Sequence, residues 1–183
     1  IISNITVSSL TLYAVWKANT YTVVFNANGG TGTMDPQSFA YGESKALTAN
    51  AFDRTGYTFL GWATTYNATE AEYDNNESVD ILTAENGATV TLYAVWKANS
   101  YTVIFNANGD GVTGDMLNQS FTYGTSQQLT ANAFSRTGYT FLGWAITDNA
   151  DTEEFKDEQS VINLTAVNGA NVTLYAVWKA NSY

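Results

Sequence analysis

Apolar and polar residues alternate with a period of two in short runs along most of the chain, the pattern of strands that bury one face. In Tyr21-Thr-Val-Val-Phe-Asn-Ala27 the alternation puts Tyr21, Val23 and Phe25 on one side. Asn28-Gly29-Gly30 closes that run, since glycine takes positive φ without steric penalty. A second short strand is expected at Ser38–Tyr41, stopped by Gly42. After the turn Arg54-Thr-Gly56, a third covers Tyr57–Trp62, and Gly61 within it predicts a bulge or a close backbone approach. Ala46, Ala49 and Phe52 lie three apart among reasonable helix formers, so one short helix is expected over Ala46–Phe52. Asn67–Glu77 is polar and acidic and reads as loop. Asn86-Gly87 predicts a hairpin joining Ile81–Ala84 to Thr89–Trp96, with Leu92, Ala94 and Trp96 on one face. The expected class is α+β, mostly β, with one short helix, and Trp62 and Trp96 as the core anchors.

The same plan occurs twice. Tyr21–Gly29 recurs as Tyr101–Gly109, and Arg54–Ala63 recurs unchanged as Arg136–Ala145. Val90–Asn99 recurs as Val172–Asn181, and its tail, Thr-Leu-Tyr-Ala-Val-Trp-Lys-Ala-Asn, also stands at Thr11–Asn19. The two-residue difference in offset falls after the first strand, where Gly109–Gly114 is longer than Gly29–Gly32. A period near 80 exceeds the roughly 20–50 residues of solenoids and propeller blades. Each unit is large enough for a core of its own. The expected organisation is therefore 1–20, the terminal strand of a preceding repeat; 21–100, the first module; and 101–183, the second. The fragment Leu10–Lys17, lacking its module, is expected to dock on a neighbouring sheet or to pair through its open edge.

Three of these phrases, Val24–Gly30, Arg54–Trp62 and Thr91–Trp96, together resemble the Listeria–Bacteroides repeat family, which includes the B-repeat of a listerial internalin. The resemblance spans both units and the fragment Thr11–Asn19. It implies a β-grasp-like, SUMO-related fold, used in tandem as stalk and adhesion modules of secreted or wall-attached bacterial proteins.

Composition narrows the chemistry. The chain has 183 residues with no His and no Cys, which excludes imidazole bases, thiolate nucleophiles and Cys/His zinc sites. A net charge of −10 argues against nucleic acid, whose binding rests on Lys and Arg neutralising phosphates. No apolar run reaches the roughly 18 residues of a membrane span. Ile1, with no initiator Met and no signal-peptide pattern, reads as an internal start of a longer protein.

The candidate sites are weak beside their structural explanations. Glu70–Glu77 invites calcium, but its counterpart Thr152–Gln159 has Lys156 where Asp74 stands, and neither has EF-hand spacing. The same mismatch undercuts a carboxylate-pair glycosidase. Tyr66 and Tyr73 lie outside the strand pattern and could stack on sugars, yet Asp148 and Phe155 replace them in the second unit. Gly29–Gly32 lacks the Gly-Lys-Ser/Thr of a phosphate loop. Asn26 and Asn28, matched at Asn106 and Asn108, are expected to order a turn. No catalytic, metal or cofactor residues are assigned.

The expected function is a non-enzymatic, semi-rigid stalk on the bacterial cell surface, outside the cell, that presents other domains. The chain is expected to be a monomer whose partners are the adjacent repeats. Only Lys97–Ser100 separates Trp96 from Tyr101, a reach of at most about 13–14 Å, which restricts swing. The alternative is an adhesion module whose repeats bind a host protein or glycan directly.

Overall fold

The computed structural model describes residue 9 and residues 11–182. The first unit contains β1 (Thr20–Asn26), β2 (Gln37–Ala40), β3 (Lys45–Ala46), β4 (Tyr57–Ala63), β5 (Ser78–Val79) and β6 (Thr89–Ala98). The second contains β7 (Ser100–Asn106), β8 (Val112–Thr113), β9 (Gln119–Thr122), β10 (Gln127–Gln128), β11 (Ser135–Arg136), β12 (Tyr139–Ala145), β13 (Ser160–Val161) and β14 (Asn171–Ala180). Each unit builds a four-stranded sheet, ordered β2-β1-β6-β4 in the first and β9-β7-β14-β12 in the second.

The central pair is parallel, Phe25 facing Leu92 and Phe105 facing Leu174 in register, while the flanking pairs are antiparallel. A strand flanked on both edges has its backbone groups paired on both sides. β6 holds that place, with Leu92 and Ala94 fully buried on one face and Val95 buried opposite the Gly61 bulge. One core cluster gathers Tyr21, Val23, Phe25, Phe39, Leu47, Trp62 and Leu92, and a second gathers Tyr101, Val103, Phe105, Phe121, Leu129, Trp144 and Leu174. Trp62 lies under Phe25, Phe52 and Phe59, with ring centroids 4.8, 6.1 and 5.0 Å away. Trp96, the other expected anchor, is only half-buried; its indole N–H donates to the Ala27 carbonyl at 2.9 Å.

Gly61 does both things expected of it. The register shifts between Phe59 and Gly61, which is a bulge. At φ +149, a Cβ on Gly61 would also overlap the Tyr73 carbonyl oxygen, so the returning chain can approach only because that Cβ is missing.

The α+β, β-grasp-like class with one helix per unit is overturned: among the described residues there is no helix. Within Ala46–Phe52, Ala46 belongs to β3, which pairs with β5, and the Leu47 N–H donates to the Glu77 carbonyl at 2.8 Å. The Gln37 amide accepts from the Thr48 N–H at 2.9 Å and donates to the Ala46 carbonyl at 2.8 Å. The Asn50 side chain in turn brackets Phe52. Side chains thus supply the partners a helical turn would have provided. The buried positions are Leu47 and Phe52, five apart and off any single helical stripe, while Ala46 and Ala49 are exposed.

The hairpin is corrected as well. Asn86-Gly87 is a turn, with Gly87 at φ +75, but residues 81–84 form no strand. The strand that leaves the turn pairs in parallel with β1, 67 residues upstream in chain order, as in Thr22 against Thr89.

Residues 11–19 carry no strand, and their contact with the first unit is at their end, where the Tyr41 N–H donates to the Asn19 carbonyl. Leu12, Tyr13, Val15 and Trp16 are each more than four-fifths exposed. Of the fragment Leu10–Lys17, Leu10 lies outside the described residues; residues 11–17 form no strand and pair with no edge, and Trp16 and Lys17 border a shallow cleft with Tyr41 and Ala84.

Candidate functional site: the joint between the repeats

A single residue, Asn99, separates the last strand of the first unit from the first strand of the second. It is the one buried polar residue among the described residues, 8% exposed. Burial of an amide is costly unless its hydrogen-bonding groups are matched, and here they are. Its backbone N–H donates to Gly56 O at 2.8 Å, and its side-chain oxygen accepts from the Thr58 hydroxyl at 2.7 Å, both in the first unit. Its side-chain nitrogen donates to Ala166 O at 2.8 Å, and its carbonyl accepts from the Tyr123 N–H at 2.8 Å, both in the second. Two bonds therefore reach back and two reach forward. Beside them the Tyr57 and Tyr123 rings meet edge to face, with centroids 5.9 Å apart, over the buried Gly56.

The two halves of this arrangement recur separately. Asn19 makes the forward half: its side chain donates to Ala84 O at 2.9 Å and its carbonyl accepts from the Tyr41 N–H at 2.7 Å. Asn181 makes the backward half: its N–H donates to Gly138 O at 2.9 Å and its side chain accepts from Thr140 at 2.7 Å. Only Asn99 carries both. The exposed tyrosines mark the two unmated halves, Tyr41 at 46% and Tyr139 at 38%. In the sequence Asn99 stands within the short link Lys97–Ser100, and its signal is the Trp-Lys-Ala-Asn that recurs at 16–19, 96–99 and 178–181.

The acidic stretch has a local, structural role. Trp62 and Tyr73 exchange backbone hydrogen bonds of 2.8 and 3.0 Å, which ties the loop across the Gly61 bulge; Trp144 and Phe155 do the same in the second unit. The Glu72 carboxylate accepts from the Thr64 hydroxyl, and Glu77 accepts from the Asp74 N–H. Among the described residues no three acidic side chains form a metal-sized group. Tyr66 is 62% exposed and rests edge-on against Tyr93. Asn26 and Asn28 order the first turn as expected: Asn26 accepts from the Asn28 N–H, and Asn28 donates to Ala94 O.

Burial raises the Tyr73 phenol above its ordinary value of 10.0, and the nearby Glu72 and Glu77 carboxylates add to the shift. The unfolded chain therefore ionises Tyr73 first. This contribution to stability is intact below pH ~10 and is lost as pH rises through the folded value. Tyr73→Phe, which copies Phe155, should leave the melting temperature at pH 8 nearly unchanged and raise it relative to the parent above pH ~10.5. Equal alkaline losses in the two proteins, followed by circular dichroism, would exclude Tyr73 as the titrating group.

Residues 21–95 and 101–177 match the Listeria–Bacteroides repeat domain, one copy for each sheet. The chain belongs to the Listeria–Bacteroides repeat family. It is 34% identical over 96% of its length to a protein of Evansella cellulosilytica named as a membrane protein, and 30% identical over 95% to a second, named as a Gly-rich membrane protein. It is 31% identical over 88% of its length to internalin H of Listeria monocytogenes. The chain spans 23%, 18% and 25% of those three relatives, about a quarter or less of each. Among the described residues no helix is long and apolar enough to cross a membrane.

Proposed function

We propose that this Listeria–Bacteroides repeat pair is a non-enzymatic, semi-rigid spacer within a bacterial cell-surface protein, holding other domains at a distance from the envelope. The carrying observation is Asn99, whose four hydrogen bonds divide evenly between the units. A flexible linker would leave that amide in water. Here it is buried and matched, and the Tyr57–Tyr123 contact beside it resists bending. The likeness to internalin H supports a surface setting, and the net charge of −10 disfavours association between neighbouring rods. The two units are expected to fold as separate bodies with separate interiors.

Small-angle scattering tests the spacer. A single compact body of this length would have a radius of gyration of about 16 Å. The expected value is clearly larger, with a narrow distance distribution showing two lobes. A value near the compact estimate, or the broad distribution of a freely jointed pair, refutes the reading. Asn99→Ala removes both side-chain bonds and leaves the Ala166 carbonyl unmatched, at a cost of about 1–3 kcal/mol. Its distance distribution should broaden. Asn19→Ala, at an exposed half-joint, should change neither stability nor scattering appreciably.

A further inference from the structure

Both arginines of the chain occupy the same place in their units, each laid flat on a tyrosine: Arg54 on Tyr57 at 3.9 Å and Arg136 on Tyr139 at 3.8 Å. Each borders a surface cleft. The cleft of the first unit, about 400 Å³, is lined by Asn28, Arg54, Leu60, residues 67–69, Trp96 and Lys97. Its volume falls within the roughly 300–1,000 Å³ of small-ligand sites. The second unit repeats it at about 250 Å³ with Asn108, Arg136, Asn149, Asp151 and Trp178.

Charge distinguishes the first cleft from the rest of the molecule. Acids outnumber bases 17 to 7 along the chain, yet two of those seven cations line this cleft and no carboxylate does. The guanidinium is held in place by Tyr57 and by one hydrogen bond to the Asn28 carbonyl, 3.4 Å long. Its other donors have no partner among the described residues. A guanidinium fixed in advance can bind a carboxylate through two parallel bonds with little loss of side-chain freedom. The remaining lining is amide (Asn28, Asn67), hydroxyl (Thr69) and apolar (Leu60 and the Trp96 edge). That mixture suits a sugar ring, with its hydroxyls and apolar C–H face, better than an extended acidic peptide.

We propose that the Arg54 cleft of the first unit binds a carboxylated saccharide, and that the second unit binds it more weakly. Asp151 stands in the lining of the second cleft where Thr69 stands in the first, so that a carboxylate shares that cleft with Arg136. This rests on direct adhesion and not on the spacer reading: a rod can hold or lack a ligand, and scattering does not depend on the answer.

The test is a titration of the isotope-labelled full chain with trigalacturonate, with its neutral methyl ester, and with a hexapeptide of Asp and Gly, followed by amide and indole NMR signals. Trigalacturonate is expected to shift Asn28, residues 67–69 and the Trp96 indole. The ester should bind about tenfold more weakly, the size of one charge-assisted contact. Thr69→Asp, on an exposed loop that tolerates polar change, should weaken binding about fivefold, and Asp151→Thr should strengthen the second site by a similar factor. The proposal is overturned by an equal response to the ester, by unchanged binding in Thr69→Asp, by shifts at another face, by tighter binding of the peptide, or by no saturable shift.

Discussion

Trp62→Ala should unfold the first unit and leave the second folded. The indole is fully buried, with Phe25, Phe52 and Phe59 packed around it. Removing so large a side chain from a core costs about 3–5 kcal/mol, because the surrounding rings collapse only partly into the space. Stability of a body of some 80 residues is of the same order, about 5 kcal/mol. In the NMR spectrum of the full chain, signals of residues 21–98 should lose dispersion while those of 101–182 keep theirs. Trp144→Ala should give the mirror result. Collapse of both halves in either variant would mean one shared interior, and the separate-body reading would fail. Trp62→Phe is the milder comparison. The indole N–H of Trp62 has no hydrogen-bond partner, so phenylalanine removes an unmatched buried donor while it loses volume, and the two effects oppose. Its cost should be well under that of alanine.

How much of this was legible in the sequence depends on the range of the interaction. The period of two placed Tyr21, Val23 and Phe25 on the buried face, because a strand's side chains obey local geometry whatever it pairs with. Gly61 announced its bulge for the same reason. The misread helix rested on three apolar residues in a seven-residue window. What prevents it is Gln37, eleven positions before Thr48, and Asn75, which caps the Asn50 N–H from 25 positions away. Neither is visible to a local pattern. The Asn-Gly signal correctly gave a turn at Asn86-Gly87, but a turn does not state which strand the departing chain will join, and here β1 holds the central place. Tyr41 and Tyr57 stand in the expected strands but not in the core: Tyr57 meets the second unit's Tyr123, and Tyr41 is exposed at the unmated half-joint. The joint itself lay in plain view as a thrice-repeated Asn. Its meaning needed the fold, since its partners Gly56 and Ala166 are 43 residues before it and 67 after it.

Gly56→Ala should damage the molecule more than Gly138→Ala, although the two glycines are equivalent within their units. Their φ angles, +77 and +82, are nearly the same, so both alanines meet the same left-handed backbone penalty of about 1–2 kcal/mol. Their surroundings differ. A Cβ on Gly138 would meet nothing within 4 Å, whereas one on Gly56 would overlap the Tyr123 ring across the joint. Crowding of that kind adds about 1–3 kcal/mol, or the ring swings out and the joint opens. Thermal unfolding should therefore place Gly56→Ala below Gly138→Ala, and scattering should broaden only in the former. Tyr123→Ala supplies the closing control. Combined with Gly56→Ala, it removes the obstacle, so the alanine at 56 should then cost no more than the alanine at 138. Equal effects of the two single substitutions, with no coupling between Gly56 and Tyr123, would mean that the units do not meet there in solution and that the spacer has no stiff hinge at Asn99.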